Sequence, residues 1–155
     1  MTLRQAQIPK EIEEARELFW EYQRSLGVDL CFQDFDHEVA ALPGEYTPPS
    51  GRLLLCFWGD DLAGCIALRK IDATTCEMKR LYVRMAFRGK HLGRKLAEAI
   101  VQEARSIGYK LMKLDTLPTM AEAITLYTSL GFKTTEPYRV NPVPGALFMQ
   151  LDLSP

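Results

Sequence analysis

The sequence predicts an α+β fold, a mixed β-sheet flanked by helices. Two observations support this class. Apolar runs of strand length alternate with stretches whose apolar residues recur at helical spacing, and three central runs follow one another through short links. Hairpin-linked strands pair antiparallel, whereas strands joined through a helix pair in parallel, so the sheet should contain both kinds of pair. With 155 residues, 47% of them hydrophobic, the chain suits a single domain over 1–155.

The N-terminal third predicts one strand, two helices and a loop. Residues 2–7 are expected to form a short strand, and a longer helix should begin near Pro9 and end at Gly27. A shorter helix is expected over 34–42. The segment 43–51 contains three prolines and two glycines, which predicts an ordered surface loop or lid.

The middle of the chain predicts an antiparallel meander of three strands over 52–58, 62–70 and 76–83. Apolar residues alternate along the last of these, but the alternation changes phase near Lys79 and Arg80. One extra residue in the strand would explain the change, because side chains alternate between faces with a period of two. The sequence therefore predicts a β-bulge there, with irregularity of an edge strand as the alternative.

The C-terminal half predicts two helices and three further strands. A helix should run from Leu92 to Gly108, and a second should begin at Thr119-x-x-Glu122, which has the pattern of a capping box. The expected strands are 110–115, 132–136 and 146–153.

Composition limits the function classes. The formal net charge is -1, so no overall basic field indicates nucleic acid as a partner. The four cysteines form no C-x-x-C pair, and no metal site is expected. Because the sequence has no apolar stretch long enough to serve as a signal peptide or membrane span, we expect a cytoplasmic protein with reduced cysteines.

A glycine-containing turn at the start of the 92–108 helix predicts an anion site. The strand Leu81-Tyr82-Val83 is followed by Arg88-Gly89-Lys90-His91-Leu92-Gly93-Arg94. Backbone N–H groups at a helix start, together with the helix dipole, suit a pyrophosphate, and glycine allows close approach. Residues 79–95 also include seven Lys or Arg and no Asp or Glu, which favours a ligand with several phosphates over a merely solvated basic edge.

These segments closely resemble the GCN5-related N-acetyltransferase (GNAT) family. Its cofactor loop reads Arg/Gln-x-x-Gly-x-Gly/Ala, and here His91 stands where the first motif glycine is usual. The segments 123–127 and 131–132 continue the resemblance. It implies the acyl-CoA N-acyltransferase fold and acetyl-CoA as acyl donor, with pantetheine along the bulged strand. The cofactor-binding residues implied are Leu81, Tyr82, Val83, Arg88, Gly89, Lys90, His91, Leu92, Gly93, Arg94 and Met120, the last where the family often has Asn.

The resemblance also implies the chemistry. Tyr127 would be the general acid that protonates the departing thiolate, although its place on an apolar helix face also fits a simple core residue. Glu77 is the candidate general base, with a solvent-facing strand glutamate as the equal alternative, and Asp115 is a further candidate. No metal is expected to take part.

The acceptor is expected to be a primary amine of a small molecule or peptide. No nucleic acid or membrane is expected as a partner, and a homodimer is possible. The alternative function is a non-catalytic acyl-CoA sensor, for which His91 and Met120 are the sequence indications. Acceptor contacts are expected from the first helices, the 43–51 lid and residues 138–141, with the candidates Tyr22, Gln23, Asp29, Phe32, Asp34, Phe35, Asp36 and Arg139.

Overall fold

The computed structural model describes residues 1–27 and 34–155, which build a seven-stranded sheet in the order β1-β2-β3-β4-β5-β7-β6. The β4–β5 pair is parallel and the other neighbours are antiparallel, so the predicted mixed sheet is confirmed. The elements are β1 Thr2–Gln5, α1 Pro9–Leu26, α2 Phe35–Ala40, β2 Arg52–Trp58, β3 Asp61–Lys70, β4 Thr75–Val83, α3 Leu92–Ile107, β5 Leu111–Thr116, α4 Ala121–Ser129, β6 Lys133–Thr134 and β7 Leu147–Asp152.

Two hydrophobic cores lie on opposite faces of the sheet because alternate strand residues point in opposite directions. On one face, α3 buries Leu96 and Ile100 against strand residues such as Ile66. On the other, α1 and α2 bury Phe19 and Phe35. Members of the first cluster include Cys76, Met78, Met112 and Leu114, and members of the second include Leu53, Leu55, Cys65 and Ala67.

Two local predictions were wrong. Thr119 does not cap α4: the helix begins at Ala121, with Met120 at the N-cap and no side-chain capping bond. Pro118 favours a turn here, and the Met120 N–H closes it by donating to Leu117 O at 3.0 Å. The strand expected over 132–136 is reduced to Lys133–Thr134 at the edge of the sheet.

The predicted bulge in β4 is confirmed. Cys65 pairs with Tyr82, whereas Ala67 pairs with Lys79, so two steps along β3 correspond to three along β4. Arg80 lies inside this bulge with φ 62°, a left-handed conformation unusual for a residue with a side chain. The bulge thereby changes the direction of β4 at the point where the sheet opens.

The sheet opens between β4 and β5. Their parallel pairing ends at Glu77 and Lys113, while β4 continues to Val83 and β5 continues to Thr116. Beyond that point the facing backbone edge of β4 is not paired with β5, so its polar groups can bind another extended chain. Within the described parts of the chain, none of the helices has both the length and the apolar character needed to cross a bilayer.

Candidate active site

Two cavities meet at the opening between β4 and β5. One is an open groove of about 980 Å³ that runs from the start of α3 to α4. The other is a smaller cavity of about 40 Å³ beneath the ends of β4 and β5. They share the lining residues Tyr22, Leu26, Leu81 and Met120, so an extended ligand in the groove can reach the small cavity through the opening.

The start of α3 forms one end of the groove. Its first intrahelical hydrogen bond runs from Lys95 N–H to His91 O at 3.1 Å. Helix geometry therefore leaves the N–H groups of Leu92, Gly93 and Arg94 without an intrahelical acceptor. All three residues line the groove, so these N–H groups and the positive end of the helix dipole meet there.

His91, which stands where the resembled loop usually has glycine, adopts a backbone conformation that favours glycine. It is the N-cap of α3 with φ 62° and ψ 23°, in the left-handed region. Histidine is among the non-glycine residues more often found there, but the conformation still carries strain. The exposed His91 side chain lines the groove.

The basic run over 79–95 does not form one phosphate-binding patch. Arg84 binds Glu21 through two hydrogen bonds of 2.7 and 3.0 Å. Arg80 is buried beside Glu38, and Lys79 lines the small cavity. The sequence could not separate Arg84 and Arg80 from the loop because their acidic partners, Glu21 and Glu38, lie far away along the chain.

The basic side chains of the 88–94 loop do not all line the groove. Arg88 and Arg94 line the groove, and Arg88 Nε donates to Val83 O at 3.0 Å. Arg94 donates to Ser129 Oγ at 2.5 Å, which joins α3 to α4. Lys90 is not among the groove-lining residues, and its ammonium lies 4.9 Å from the ring centroid of the exposed Trp58.

The remaining predicted cofactor residues lie together along the groove. Leu81, Tyr82 and Val83 of β4 form one wall, and Met120 stands at the junction of the two cavities. Gly89, with φ 83°, completes the loop. Residues that the sequence predicted for the cofactor thus lie along one groove, and their binding roles stay predictions.

Tyr127 lies between the core and the small cavity. It is 7% exposed, its ring packs 5.7 Å from that of Phe132, and it lines the cavity. Burial, reinforced by Tyr22 and by the charge of Asp115, raises the pKa of Tyr127. The phenol is therefore protonated near neutral pH and can act as a donor.

Asp115 and Asn141 line the same cavity and bind each other, with Asn141 Nδ2 donating to Asp115 Oδ2 at 3.1 Å. This contact brings the loop between β6 and β7 to the end of β5. The other oxygen of Asp115 gives the cavity a carboxylate acceptor. Among the described residues that line the cavity, Asp115 is the only acidic one.

Lys79 is a cavity residue that the sequence did not single out. It is 6% exposed, and burial together with the neighbouring Arg80 lowers its pKa to about 7. A lysine in a strand, next to a change of phase in the apolar alternation, was the available signal.

Glu77 does not lie in the cavity, and neither alternative for it fits the structure. It is fully buried, rather than solvent-facing, and it contacts Arg69 Nε at 2.7 Å. It also accepts a hydrogen bond of 2.6 Å from Tyr138 and forms an ion pair with Arg139. These partners occupy both carboxylate oxygens, and Glu77 lines neither of the two cavities, so the role of general base does not fit this geometry.

The expected acceptor-binding segments have mixed outcomes. Tyr22 and Asn141 line the small cavity, whereas Arg139 and Tyr138 belong to the Glu77 cluster. The lid over 43–51 is fixed by Tyr46, which is 2% exposed and belongs to the core under α1 and α2. Asp29, Phe32 and Cys31 lie outside the described residues.

The other cysteines and the acidic residues give no metal centre in the described parts of the chain. Within 1–27 and 34–155, no group of three or more His, Cys, Asp or Glu side chains is placed to hold a metal ion. Cys56, Cys65 and Cys76 are free and buried, as expected for cysteines that serve as small apolar residues.

Comparison with known families decides which family the chain belongs to. The model of the acetyltransferase (GNAT) family matches residues 12–132, which include most of α1, the bulged strand, the start of α3 and α4. The chain belongs to the GNAT family. An uncharacterized N-acetyltransferase of Schizosaccharomyces pombe is 42% identical over 149 residues, which cover 95% of this chain and 91% of that protein.

Solved GNAT structures share the fold. A GNAT-family acetyltransferase of Staphylococcus aureus matches with a TM-score of 0.80 and 18% identity over 99% of both chains. A Salmonella typhimurium protein, described as an acetyltransferase and solved with its cofactor acetyl-CoA, matches with a TM-score of 0.70 and 25% identity over 100% of this chain and 95% of its own. The predicted GNAT fold and the prediction of an N-acyltransferase enzyme are thereby confirmed at the level of the family.

Proposed function

We propose that this GNAT protein transfers an acetyl group from acetyl-CoA to a primary amine of a small molecule. The observation that carries the proposal is the meeting of an open groove with a small polar cavity beside Tyr127. A long donor fits the groove, while the thioester end reaches the cavity where the acceptor is held. The Salmonella relative that was solved with acetyl-CoA supports this choice of donor.

The donor's diphosphate would bind at the start of α3, where the N–H groups of Leu92, Gly93 and Arg94 meet the side chain of Arg88. The pantetheine arm would extend along Leu81, Tyr82 and Val83, because β4 lacks β5 as a neighbour there. Amide groups of the arm can then hydrogen-bond to the strand backbone as another strand would.

Acetyl transfer by direct attack needs three things at the opening of the sheet: a neutral amine, a donor for the oxyanion and a proton for the thiolate. A backbone N–H beyond the bulge of β4 would stabilise the oxyanion. Tyr127 would protonate the thiolate of CoA, since its phenol is buried and lines the cavity. The burial that raises the pKa of Tyr127 would also raise the pKa of the CoA thiol beside it. Proton transfer from the phenol to the thiolate would therefore not be disfavoured by burial of the phenol alone.

Asp115 replaces Glu77 as the proposed proton acceptor for the incoming amine. It lines the cavity with Tyr127, whereas Glu77 is enclosed by Arg69, Tyr138 and Arg139. A carboxylate can take the proton directly or through one water molecule. We retain the cytoplasm as the proposed location.

The proposal is tested by acceptor-dependent release of free CoA over a panel of amines, with the Tyr127→Phe variant alongside the wild type. Loss of a general acid should lower kcat by about 100-fold and leave the Kd for acetyl-CoA nearly unchanged. Tyr109→Phe is the matched control, because Tyr109 is also buried but its hydroxyl donates to Ser50 O at 2.7 Å, outside both cavities.

Three outcomes are informative. Equal kcat for Tyr127→Phe and the wild type would refute the role of Tyr127. Stabilisation by acetyl-CoA in thermal unfolding without turnover on any amine would support the acyl-CoA sensor instead. Absence of any stabilisation by acetyl-CoA would refute the donor itself.

A further inference from the structure

We infer that Asn141 is a positioning residue for acetyl transfer: its side-chain amide holds one oxygen of the Asp115 carboxylate and leaves the other oxygen to take the proton of the incoming amine. The inference rests on the proposed function and adds a residue that acts through Asp115. It is carried by the hydrogen bond of 3.1 Å from Asn141 Nδ2 to Asp115 Oδ2, between two residues that line the same cavity.

The orientation of the Asn141 amide is fixed by a second hydrogen bond. The backbone N–H of Val143 donates to Asn141 Oδ1 at 3.0 Å. A side-chain amide accepts through its oxygen and donates through its nitrogen. Rotating it by half a turn would place an oxygen against the carboxylate of Asp115 and a donor against the N–H of Val143. Only one orientation therefore satisfies both neighbours, and in that orientation Nδ2 faces Asp115.

The loop that carries Asn141 joins the two strands that separate at the opening of the sheet. The Tyr138 hydroxyl donates to Glu77 of β4 at 2.6 Å, and Arg139 forms an ion pair with the same carboxylate. Asn141 follows two residues later and binds Asp115 near the end of β5. Because the parallel pairing of β4 with β5 ends at Glu77, the loop holds both strands where they diverge.

The rest of the loop restricts where Asn141 can lie. Pro142 follows it directly and Pro144 comes two residues later, and a proline limits both its own backbone and that of the residue before it. Gly145 lies close to the turn between β5 and α4, since a Cβ added to it would be 3.4 Å from Pro118 Cγ. The loop, rather than Asp115 alone, therefore determines the position of the amide.

This arrangement suits a carboxylate that must take a proton from one direction. The terminal torsion of an aspartate is broad, so a carboxylate without a fixed neighbour samples many orientations. A hydrogen bond to Oδ2 narrows that range and gives Oδ1 of Asp115 a defined place. A reacting group that is displaced by about 1 Å can slow a reaction by about 100-fold. The contact should therefore affect the rate of transfer rather than the binding of the donor.

The experiment measures steady-state acetyl transfer by Asn141→Ala on the best amine of the panel. Its kcat should fall by about tenfold or more, because the carboxylate is no longer held. The KM for acetyl-CoA should not change, since Asn141 lines the small cavity and not the groove. Glu136→Ala is the matched control: Glu136 is an exposed residue of the same loop that lines neither cavity, so its kcat should equal that of the wild type.

Asn141→Asp separates the two hydrogen bonds of the side chain. It keeps an oxygen that can accept from the N–H of Val143, but it replaces the donor to Asp115 by a second carboxylate. Its kcat should fall at least as far as that of Asn141→Ala. A wild-type kcat in Asn141→Asp would show that only the turn of the loop matters, and it would overturn the inference.

A double-mutant cycle distinguishes positioning from a structural role. If Asn141 acts through Asp115, then Asn141→Ala should lower kcat in the wild type but have no further effect in Asp115→Ala. An equal loss in both backgrounds would overturn the inference. Turnover that needs Asp115 but not Asn141 would keep the proposed function and refute the inference alone. Turnover that Asp115→Ala leaves unchanged would refute the proposed proton acceptor and the role of Asn141 with it.

Nuclear magnetic resonance tests the contact without any turnover. Asn141 is the only asparagine in the sequence, so asparagine labelled with ¹⁵N in its side chain gives a single amide signal. One of its two proton shifts should move in Asp115→Ala and stay in place in Glu136→Ala. An amide signal that Asp115→Ala does not move would overturn the inference.

Discussion

Glu38 of α2 and Arg80 of β4 form a bidentate ion pair, with both hydrogen bonds at 2.9 Å. Arg80 is 4% exposed and holds a left-handed backbone inside the bulge, while its guanidinium lies 5.0 Å from the ring centroid of Phe35. A side chain in that backbone region costs about 1 to 3 kcal/mol, so surrounding contacts must maintain it. The pair therefore couples a short helix to the shape of the strand that the donor would follow.

Replacing Glu38 with Gln should destabilise the fold and slow acetyl transfer. The substitution leaves a buried guanidinium without its counter-charge, which costs about 3 kcal/mol. Because the bulge would lose its anchor on the strand that the donor would follow, kcat/KM for acetyl-CoA should fall. Steady-state kinetics and urea unfolding measure both effects.

Glu45→Gln is the control for that prediction. Glu45 contacts Arg69 at 2.7 Å, but its side chain is 70% exposed, so its loss should cost less than about 1 kcal/mol. Equal losses in the two variants would contradict the special role of Glu38. Burial raises the pKa of Glu38, but the hydrogen bonds and charge of Arg80 outweigh burial and lower the pKa below its ordinary value. The stabilisation by the Glu38–Arg80 pair should therefore be lost as pH falls through that depressed pKa.

Replacing His91 with Gly should stabilise the protein, because glycine adopts φ 62° without strain. The gain should be about 1 kcal/mol at most, while His91→Val should lose about 1 to 2 kcal/mol. The Kd for acetyl-CoA should change by less than about threefold in His91→Gly, since the backbone N–H groups remain. A larger loss of affinity in isothermal calorimetry would show that the imidazole itself binds the donor.

Replacing Lys79 with Met should stabilise the free protein by on the order of 3 kcal/mol at pH 6, because it removes a buried ammonium. The pKa of Lys79 falls from 10.5 to about 7 through burial, Arg80 and Arg69, against the opposite effects of Glu38 and Asp115. The unfolded chain therefore binds this proton more tightly than the folded protein does. The destabilisation that the Lys79 ammonium causes is at its maximum below about pH 7.

That cost should decrease as pH rises from about 7 toward 10.5, where the unfolded chain also loses the proton. The difference in unfolding free energy between Lys79→Met and the wild type should shrink over the same range. Urea unfolding at pH 6, 7.5 and 9 measures it. A difference that does not vary with pH would contradict the shifted lysine.

Replacing Glu77 with Gln should affect stability rather than the pH–rate profile. Glu77 is fully buried between Arg69 and Arg139, so its loss leaves two guanidinium groups without their shared partner and costs about 3 kcal/mol or more. The pH dependence of kcat should match the wild type at temperatures where both are folded. A displaced acidic limb in Glu77→Gln alone would restore Glu77 as a base.

The described core and the groove at the start of α3 could be predicted from the sequence because their signals are local. The stripe from Leu92 to Ala104 predicted a helix, and the phase change at Lys79 and Arg80 predicted a bulge rather than the alternative of an irregular edge strand. Periodicity reports which face a residue occupies, whatever the rest of the chain does. The confirmed bulge and the groove at α3 follow from that property.

The partners of the charged side chains could not be predicted because these contacts join distant segments of the chain. The basic run over 79–95 was interpreted as favouring a ligand with several phosphates, but Arg84 binds Glu21 and Arg80 binds Glu38. Glu77 was predicted as a general base, with a solvent-facing glutamate as the alternative, because nothing near it in sequence indicates Arg139. Partner choice for a charged side chain is set by the fold, over separations that local patterns do not report.

The loop from Arg88 to Arg94 was determined by the sequence itself: a strand, glycines and a helix start, which present N–H groups wherever they occur. Only the tertiary structure decided that His91 keeps glycine's conformation and that Lys79 faces a cavity. The reason is physical. A helix start presents the same N–H groups wherever it occurs, whereas a sterically disfavoured backbone conformation, burial and charge environment depend on neighbours in space.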